Sequence, residues 1–235
     1  MSELILVRHG QASFGAESYD KLSPLGVHQV EILAKYWQTL GEQFDHLYSG
    51  ELVRQIETAE CLRALLPAQL APQVLPGLNE YNGEPIIRLY LRDHAQSEGF
   101  GADLKLPITD RKTFQLVLEA ATAHWIEGTL QPSWEDNDFE SWRDFQCRVH
   151  GALDELMLRH TGGSRVLVST SGGVIALALQ RALQLPDAQT IATNWMVKNS
   201  SVTRLVYGRG KVSLATFNSL SHLEVPAWRE LITFR

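Results

Sequence analysis

The sequence predicts an α/β fold built on a mainly parallel sheet, and three observations carry that expectation. Short apolar runs of strand length alternate along the chain with longer segments of helical period. The apolar runs Leu4 to Val7 and Val166 to Val168, and the short strand candidate Phe44 to Tyr48, each stop at polar and glycine residues, as strands do where they feed loops. Finally, 44% hydrophobic, 9% aromatic and 20% charged residues over 235 positions give a chain long enough to bury a sizeable core, which excludes disordered, collagen-like and coiled-coil classes.

Taken in order, Leu4 to Val7 is a first strand ending at Arg8-His9-Gly10. Ser23-Pro24 supplies a helix cap and a first-turn proline, and Val30, Leu33, Trp37 and Leu40 recur at helical spacing until Gly41. Phe44 to Tyr48 is a second strand ending at Ser49-Gly50. Glu51 to Leu66 is a second helix, with Ile56, Ala59 and Leu66 on one face and Pro67 as its stop. Gln73 to Leu75 is a short third segment.

Residues 81–137 break the rhythm. Pro85, Pro107 and Pro132 divide them, Gly99 and Gly101 mark a loop, and Thr113 to Ile126 reads as a helix, so the stretch is expected to be an insertion within one domain. A longer helix follows, with Trp142, Phe145, Val149, Ala152 and Leu156 as its stripe and Gly162-Gly163 as its end. Arg165 to Ser169 is a strand that turns through Thr170-Ser171-Gly172-Gly173 into the apolar helix Val174 to Leu183. Ser201 to Tyr207 and Lys211 to Phe217, around Gly208-Arg209-Gly210, predict an antiparallel hairpin. In the insertion and just after it, Trp125, Trp134, Phe139 and Trp142 are expected in the core.

A formal charge of −6, from 21 basic and 27 acidic residues, disfavours nucleic acid and anionic membrane as partners. Cys61 and Cys147 match no metal or redox spacing and are expected to be reduced core thiols. Four apolar residues before Arg8 are too few for a secretory leader, and no stretch approaches the roughly 20 apolar residues of a membrane span. The expected location is the cytoplasm.

Strand carboxyl ends are where an α/β sheet gathers chemistry. Here they carry Arg8-His9-Gly10-Gln11, Arg54 a little beyond Ser49, Leu78-Asn79-Glu80, and Thr170-Ser171-Gly172-Gly173. Two arginines, a histidine and a glutamate suit a phosphate ester. Guanidinium forks and the N–H groups at the helix start after Ser171, Gly172 included, hold the anion. A neutral imidazole attacks phosphorus, and a carboxylic acid protonates the leaving oxygen. Arginines can neutralise the phosphoryl charge without a metal, and the sequence offers no carboxylate cluster of the two-metal kind.

Leu6-Val7-Arg8-His9-Gly10-Gln11, Leu22-Ser23-Pro24-Leu25-Gly26-Val27-His28-Gln29, and Ser49 to Ala59 with Arg54 and Thr58 together resemble the histidine phosphatase superfamily, in its phosphoglycerate-mutase-like branch. Leu78-Asn79-Glu80, Asn199 to Thr203 and Phe217 to Leu223 extend the likeness nearly end to end. The resemblance implies a three-layer fold with one mostly parallel six-stranded sheet between helices, and an inserted helical and loop cap. It implies His9 as the phosphorylated nucleophile, Glu80 as proton donor, Arg8 and Arg54 as phosphate ligands, and no cofactor or metal. The partner would be a small phosphorylated substrate or inorganic phosphate, with pairing into a homodimer left open.

One departure stands out. The family pattern after the fourth strand is Ser-His-Gly-Gly, and here Ser171 takes the second histidine's place. A serine hydroxyl still donates one hydrogen bond but lacks imidazolium charge. This leaves a phosphatase as the first reading, a phosphate-binding protein with impaired turnover as the second, and a mutase last, because Gln11-Ala12-Ser13-Phe14-Gly15 departs from the mutase run. Glu84 is a rival acid to Glu80, His222 is the nearest substitute for the missing histidine, and Ser171 reads equally as a helix cap or a phosphate contact.

Overall fold

In the computed structural model, which describes residues 1–13, 20–100 and 104–234, strand β1 (Ser2–Arg8) buries Leu4, Ile5, Leu6 and Val7 completely. An unbroken apolar run is what a strand covered on both faces requires. Its parallel neighbour β4 (Arg165–Thr170) sets Thr170 opposite Arg8. Beyond β4 lie β2 (His46–Ser49) and β3 (Gln73–Val74), also parallel. On the other side of β1, β5 (Val202–Gly208) and β6 (Lys211–Ser219) form the hairpin. The sheet order is β3-β2-β4-β1-β5-β6, and only β5 runs against the rest, so the sheet is mixed but mostly parallel. Arg209 and Gly210 turn the hairpin with φ of 52° and 74°, the positive pair that matches strand twist.

The helices are α1 (Pro24–Thr39), α2 (Val53–Leu62), α3 (Gly83–Asp93), α4 (Arg111–Glu127), α5 (Trp142–Arg159), α6 (Gly172–Leu183) and α7 (Asp187–Asn194). The Ser23 hydroxyl accepts the Gly26 N–H at 3.0 Å and caps α1, a contact worth about 1 kcal/mol. Val30, Leu33 and Trp37 are buried as expected. Leu40 is 58% exposed instead, because it is the residue that ends the helix.

α2 is shorter than expected and turned about its axis. It gives way to a 3-10 turn at Arg63–Leu65, and its buried stripe is Gln55, Thr58, Ala59 and Leu62, with Ile56 only half-buried. α3 is not foreseen from the sequence, since Pro85 reads as a breaker. Proline falls at the third helical position, where the missing N–H has no intrahelical acceptor to lose, and the Asn82 side chain caps the start through Glu84 N–H. α7, of eight residues behind Pro186, is too short to show a period.

Two compact units result, Met1–Glu80 with Arg148–Arg235, and Tyr81–Cys147. In the first, Ile5, Val7 and Leu167 pack with Val30, Leu33 and Trp37 of α1 and Ala59 and Leu62 of α2, while Trp37 meets Phe44 edge-on at 5.1 Å. α6 is buried from Gly172 to Leu179 and packs against β1 and β6. The second unit begins where the insertion is expected but ends at Cys147 rather than near 137, taking in the first turns of α5. It holds α3, α4 and an aromatic cluster of Tyr81, Trp125, Trp142 and Phe145. Trp134 departs from the core expectation at 89% exposed, and Cys147 is exposed rather than a core thiol. Phe14, Gly15 and Gly101 lie outside the described residues. Among the described residues no helix is long and apolar enough to cross a membrane.

Candidate active site

β1 and β4 end side by side, and His9 N–H donates to the Thr170 carbonyl at 2.8 Å, so the first residue beyond β1 is tied to the last of β4. Backbone contact fixes the loop further. A Cβ on Gly10 would stand 2.3 Å from the Gly26 carbonyl oxygen, and one on Gly26 would stand 2.1 Å from that of Gln11. Glycine at both positions lets the loop and the start of α1 touch. Gly10 N–H also donates to the Thr58 hydroxyl at 3.2 Å, which ties the loop to α2.

The His9 ring has one tautomer available. Nδ1 lies 2.7 Å from the Gly10 carbonyl oxygen, which can only accept, so Nδ1 carries the proton. Arg54 Nε, which can only donate, lies 3.2 Å from Nε2, so that nitrogen presents its lone pair. Burial, then the charges of Arg54 and Arg8, hold the imidazole well below its ordinary pKa, and it is neutral at pH 7. Lone pair, tautomer and charge state are those of a nucleophile.

Arg54 reaches the ring from the first turn of α2, its side chain 13% exposed, and its Nη1 pairs with Asp20. The same carboxylate accepts Val53 N–H at 2.8 Å and so holds the start of α2. Arg8, the last residue of β1, donates through Nη1 to the Val197 carbonyl, and its charge acts on His9.

Glu80 and Ser171 meet at the start of α6. One Glu80 carboxylate oxygen accepts Gly173 N–H at 3.0 Å, so a helix N–H expected to face phosphate is engaged by the expected proton donor. Ser171 is fully buried and stands at the helix N-cap, but its hydroxyl makes no capping bond and accepts from Gln55 Nε2 at 2.9 Å. A Cβ on Gly172 would stand 2.3 Å from Asn194 Oδ1, too close for any side chain, so glycine lets the start of α6 lie against α7. Glu84 belongs to the second unit, where it pairs with Arg88. The first unit thus brings His9 and Arg54 together, joins Glu80 to the Ser171 turn through Gly173, and leaves Arg8 acting on His9 by charge.

His222 is buried, with Nε2 2.9 Å from the Ser200 hydroxyl, and burial lowers its pKa to about 4. It approaches the loop through Ser200, whose N–H faces the Arg8 and His9 carbonyls. Sequence reasoning gives no role to Gln55, Gln29 or Asn199. Asn199 Nδ2 donates to the His9 carbonyl at 3.2 Å. Fully buried Gln29 accepts Gln11 N–H and donates to the Leu231 carbonyl and Thr233 hydroxyl. A polar residue at helical spacing with apolar ones is the available signal for both glutamines. Among the described residues no three His, Cys, Asp or Glu side chains gather in a metal-holding group.

No curated protein sequence matches the chain. Solved structures share the fold at low identity. A mutant phosphoserine phosphatase from Entamoeba histolytica, in complex with phosphoserine, is 20% identical with a TM-score of 0.63, covering 95% of this chain and 100% of its own. Phosphoglycerate mutase from Bacillus anthracis is 22% identical with a TM-score of 0.64, covering 94% of each chain. A mycobacterial glucosyl-3-phosphoglycerate phosphatase with inorganic phosphate is 22% identical with a TM-score of 0.63, covering 95% and 100%. A family model matches residues 4–98 and 108–220, nearly the whole length over which the site and sheet are built, and by that match the chain belongs to the histidine phosphatase superfamily, branch 1.

Proposed function

We propose that the protein hydrolyses a small phosphomonoester in the cytoplasm, without a metal, through a phosphohistidine on His9. One domain carries the reaction, and residues 81–147 are an insertion in it. The observation that supports this most is the fixed tautomer of His9, neutral and held between the Gly10 carbonyl and Arg54 Nε. Family membership and the phosphatases that share its fold agree with it.

In this reading a phosphate dianion takes the Arg54 guanidinium from Asp20 and frees the Nε2 lone pair. Nε2 attacks phosphorus, the P–O ester bond breaks, and the Glu80 carboxyl gives its proton to the leaving oxygen. The Nδ1 proton stays directed at the Gly10 carbonyl, which steadies the charge on the phosphorylated ring. Water then attacks phosphorus, Glu80 takes its proton, the P–N bond breaks and inorganic phosphate leaves. Arg8, Arg54, Ser171 and the N–H of Gly172 hold the equatorial oxygens, where electrostatic stabilisation matters most.

Turnover of an aryl phosphate in chelator, and an acid-labile phosphate on His9 found by mass spectrometry after rapid quenching, test the reading together. Both are expected. Inorganic phosphate binding without turnover would instead establish the impaired binding protein, and chelator-sensitive turnover would overturn the metal-free route.

A further inference from the structure

A serine at a helix N-cap ordinarily gives its oxygen to the N–H two or three residues on. Ser171 does not, and the Gly173 N–H it would take is held by Glu80. Its hydroxyl has one hydrogen bond among the described residues, from Gln55 Nε2 at 2.9 Å. The same Nε2 faces the Leu78 carbonyl at 3.2 Å, and since that oxygen can only accept, the amide orientation is set. Gln55 is fully buried on a helix face otherwise lined by Thr58, Ala59 and Leu62, and its Oε1 is buried with no partner among the described residues. Burying an unsatisfied amide oxygen is unfavourable, so packing alone does not account for glutamine here.

We infer that Gln55 and Ser171 form one donor unit in the phosphate pocket, in which Gln55 acts as a positioning residue and turns the Ser171 O–H toward a phosphoryl oxygen. The inference rests on the phosphatase reading above. A serine oxygen that accepts from an amide keeps its own proton to donate, and the amide fixes the direction in which it points. The pair fills the place that the family resemblance gives to the second histidine. An imidazole exceeds a hydroxyl by several heavy atoms, and at a fully buried position 2.9 Å from the Gln55 amide it needs the volume that Gln55 holds. Residues 55 and 171 are therefore matched to each other, glutamine with serine, and the pocket carries one titratable charge fewer than a two-histidine pocket.

The test uses the full chain, thermal melting as a check on folding, and aryl phosphate kinetics beside competition by inorganic phosphate. Gln55→Met keeps the volume and removes the donor; Ser171→Ala removes the hydroxyl. Each is expected to lower kcat by roughly three- to tenfold, the worth of one neutral hydrogen bond, and the double variant is expected to be no slower than the slower single. Ser171→His alone should melt lower and turn over more slowly, and combining it with Gln55→Ala should recover both. A Gln55→Met enzyme with unchanged kcat, a double variant whose loss multiplies the singles, or a Ser171→His enzyme that gains activity with Gln55 intact would overturn the pair. Absence of wild-type turnover would sink the phosphatase reading alone, and inorganic phosphate would still decide: weaker binding to both single variants supports the pair, and equal or undetectable binding throughout rejects it.

Discussion

Arg54 in the first unit and Arg88 in the second both face carboxylates, in different company. Arg54 is 13% exposed, has Asp20 as its carboxylate partner, and turns its Nε to the neutral His9 ring. Arg88 is 37% exposed and reaches Glu84, Asp136 and Asp138 at 2.9, 3.3 and 2.7 Å. Arg92 pairs in turn with Asp93 and Asp136, and Asp136, fixed first by Ser133 N–H, is held at about 2. Three carboxylates compensate the Arg88 charge and would repel a phosphate, whereas a dianion arriving at Arg54 has one carboxylate among the described residues to displace. The distinction between a guanidinium that braces a surface and one that receives an anion lies in how many partners already neutralise it.

Removing the groups at the His9 end should therefore give the largest losses. His9→Ala is expected to bring aryl phosphate turnover to background, and Glu80→Gln to lower kcat by about 10²–10⁴-fold. Arg54→Ala should cost about ten- to more than a hundredfold in kcat/KM, the worth of one charge-assisted hydrogen bond to the transition state. Steady-state kinetics on folded variants would break the comparison if Arg54→Ala were near wild type.

A stability effect comes next. His222, buried against Ser200, has its pKa lowered to about 4 from an unfolded value near 6.5, so the unfolded chain binds the extra proton first. Stability from this group is complete above pH 6.5 and falls as pH drops toward 4, by about 3 kcal/mol in all, then levels. His9, lowered in the same direction chiefly by burial, adds to the slope. Melting temperatures between pH 7 and 4 should show it, and His222→Gln should flatten the curve.

Much of the scaffold is legible in the sequence because it follows from periodicity. Leu4 to Val7, an apolar run of strand length that stops at polar residues and glycine, fits a buried strand, and Ser23-Pro24 supplies the cap and first-turn proline of a helix. Arg8, His9 and Arg54 are legible through spacing that resembles a known family. Gln55 is not, since a polar residue on a helix reads as solvated until the register is known, and the α2 stripe passes through Gln55 and Thr58 rather than Ile56. The partner of Ser171 lies 116 positions away in sequence, a pairing set by tertiary packing alone. α3 and α7 are hidden by prolines that occupy the helix starts, where proline is tolerated.

Asp20→Asn sharpens the comparison at smaller scale. It keeps an acceptor for Val53 N–H and removes the charge that competes for Arg54. Inorganic phosphate should inhibit at roughly two- to fivefold lower concentration, within the range of one partly exposed ion pair, with the melting temperature little changed. Weaker inhibition would mean that Asp20 orients Arg54 for phosphate rather than contending with it.

The smallest effects are expected at Glu84 and Arg88. Glu84 is 52% exposed, sits in the first turn of α3 and pairs with Arg88 one turn on, an arrangement worth about 0.3–0.5 kcal/mol. Its carboxylate has a structural occupation in that pair and at the positive end of the helix dipole, whereas Glu80 meets the turn that carries Ser171. Glu84→Gln and Arg88→Ala should each leave kcat within about twofold, inside the effect of removing a surface ion pair, while Glu80→Gln does not. If Glu84→Gln slowed turnover as much as Glu80→Gln and shifted the acid limb of the pH profile, the proton donor would be Glu84. The second unit would then supply chemistry as well as a charged surface.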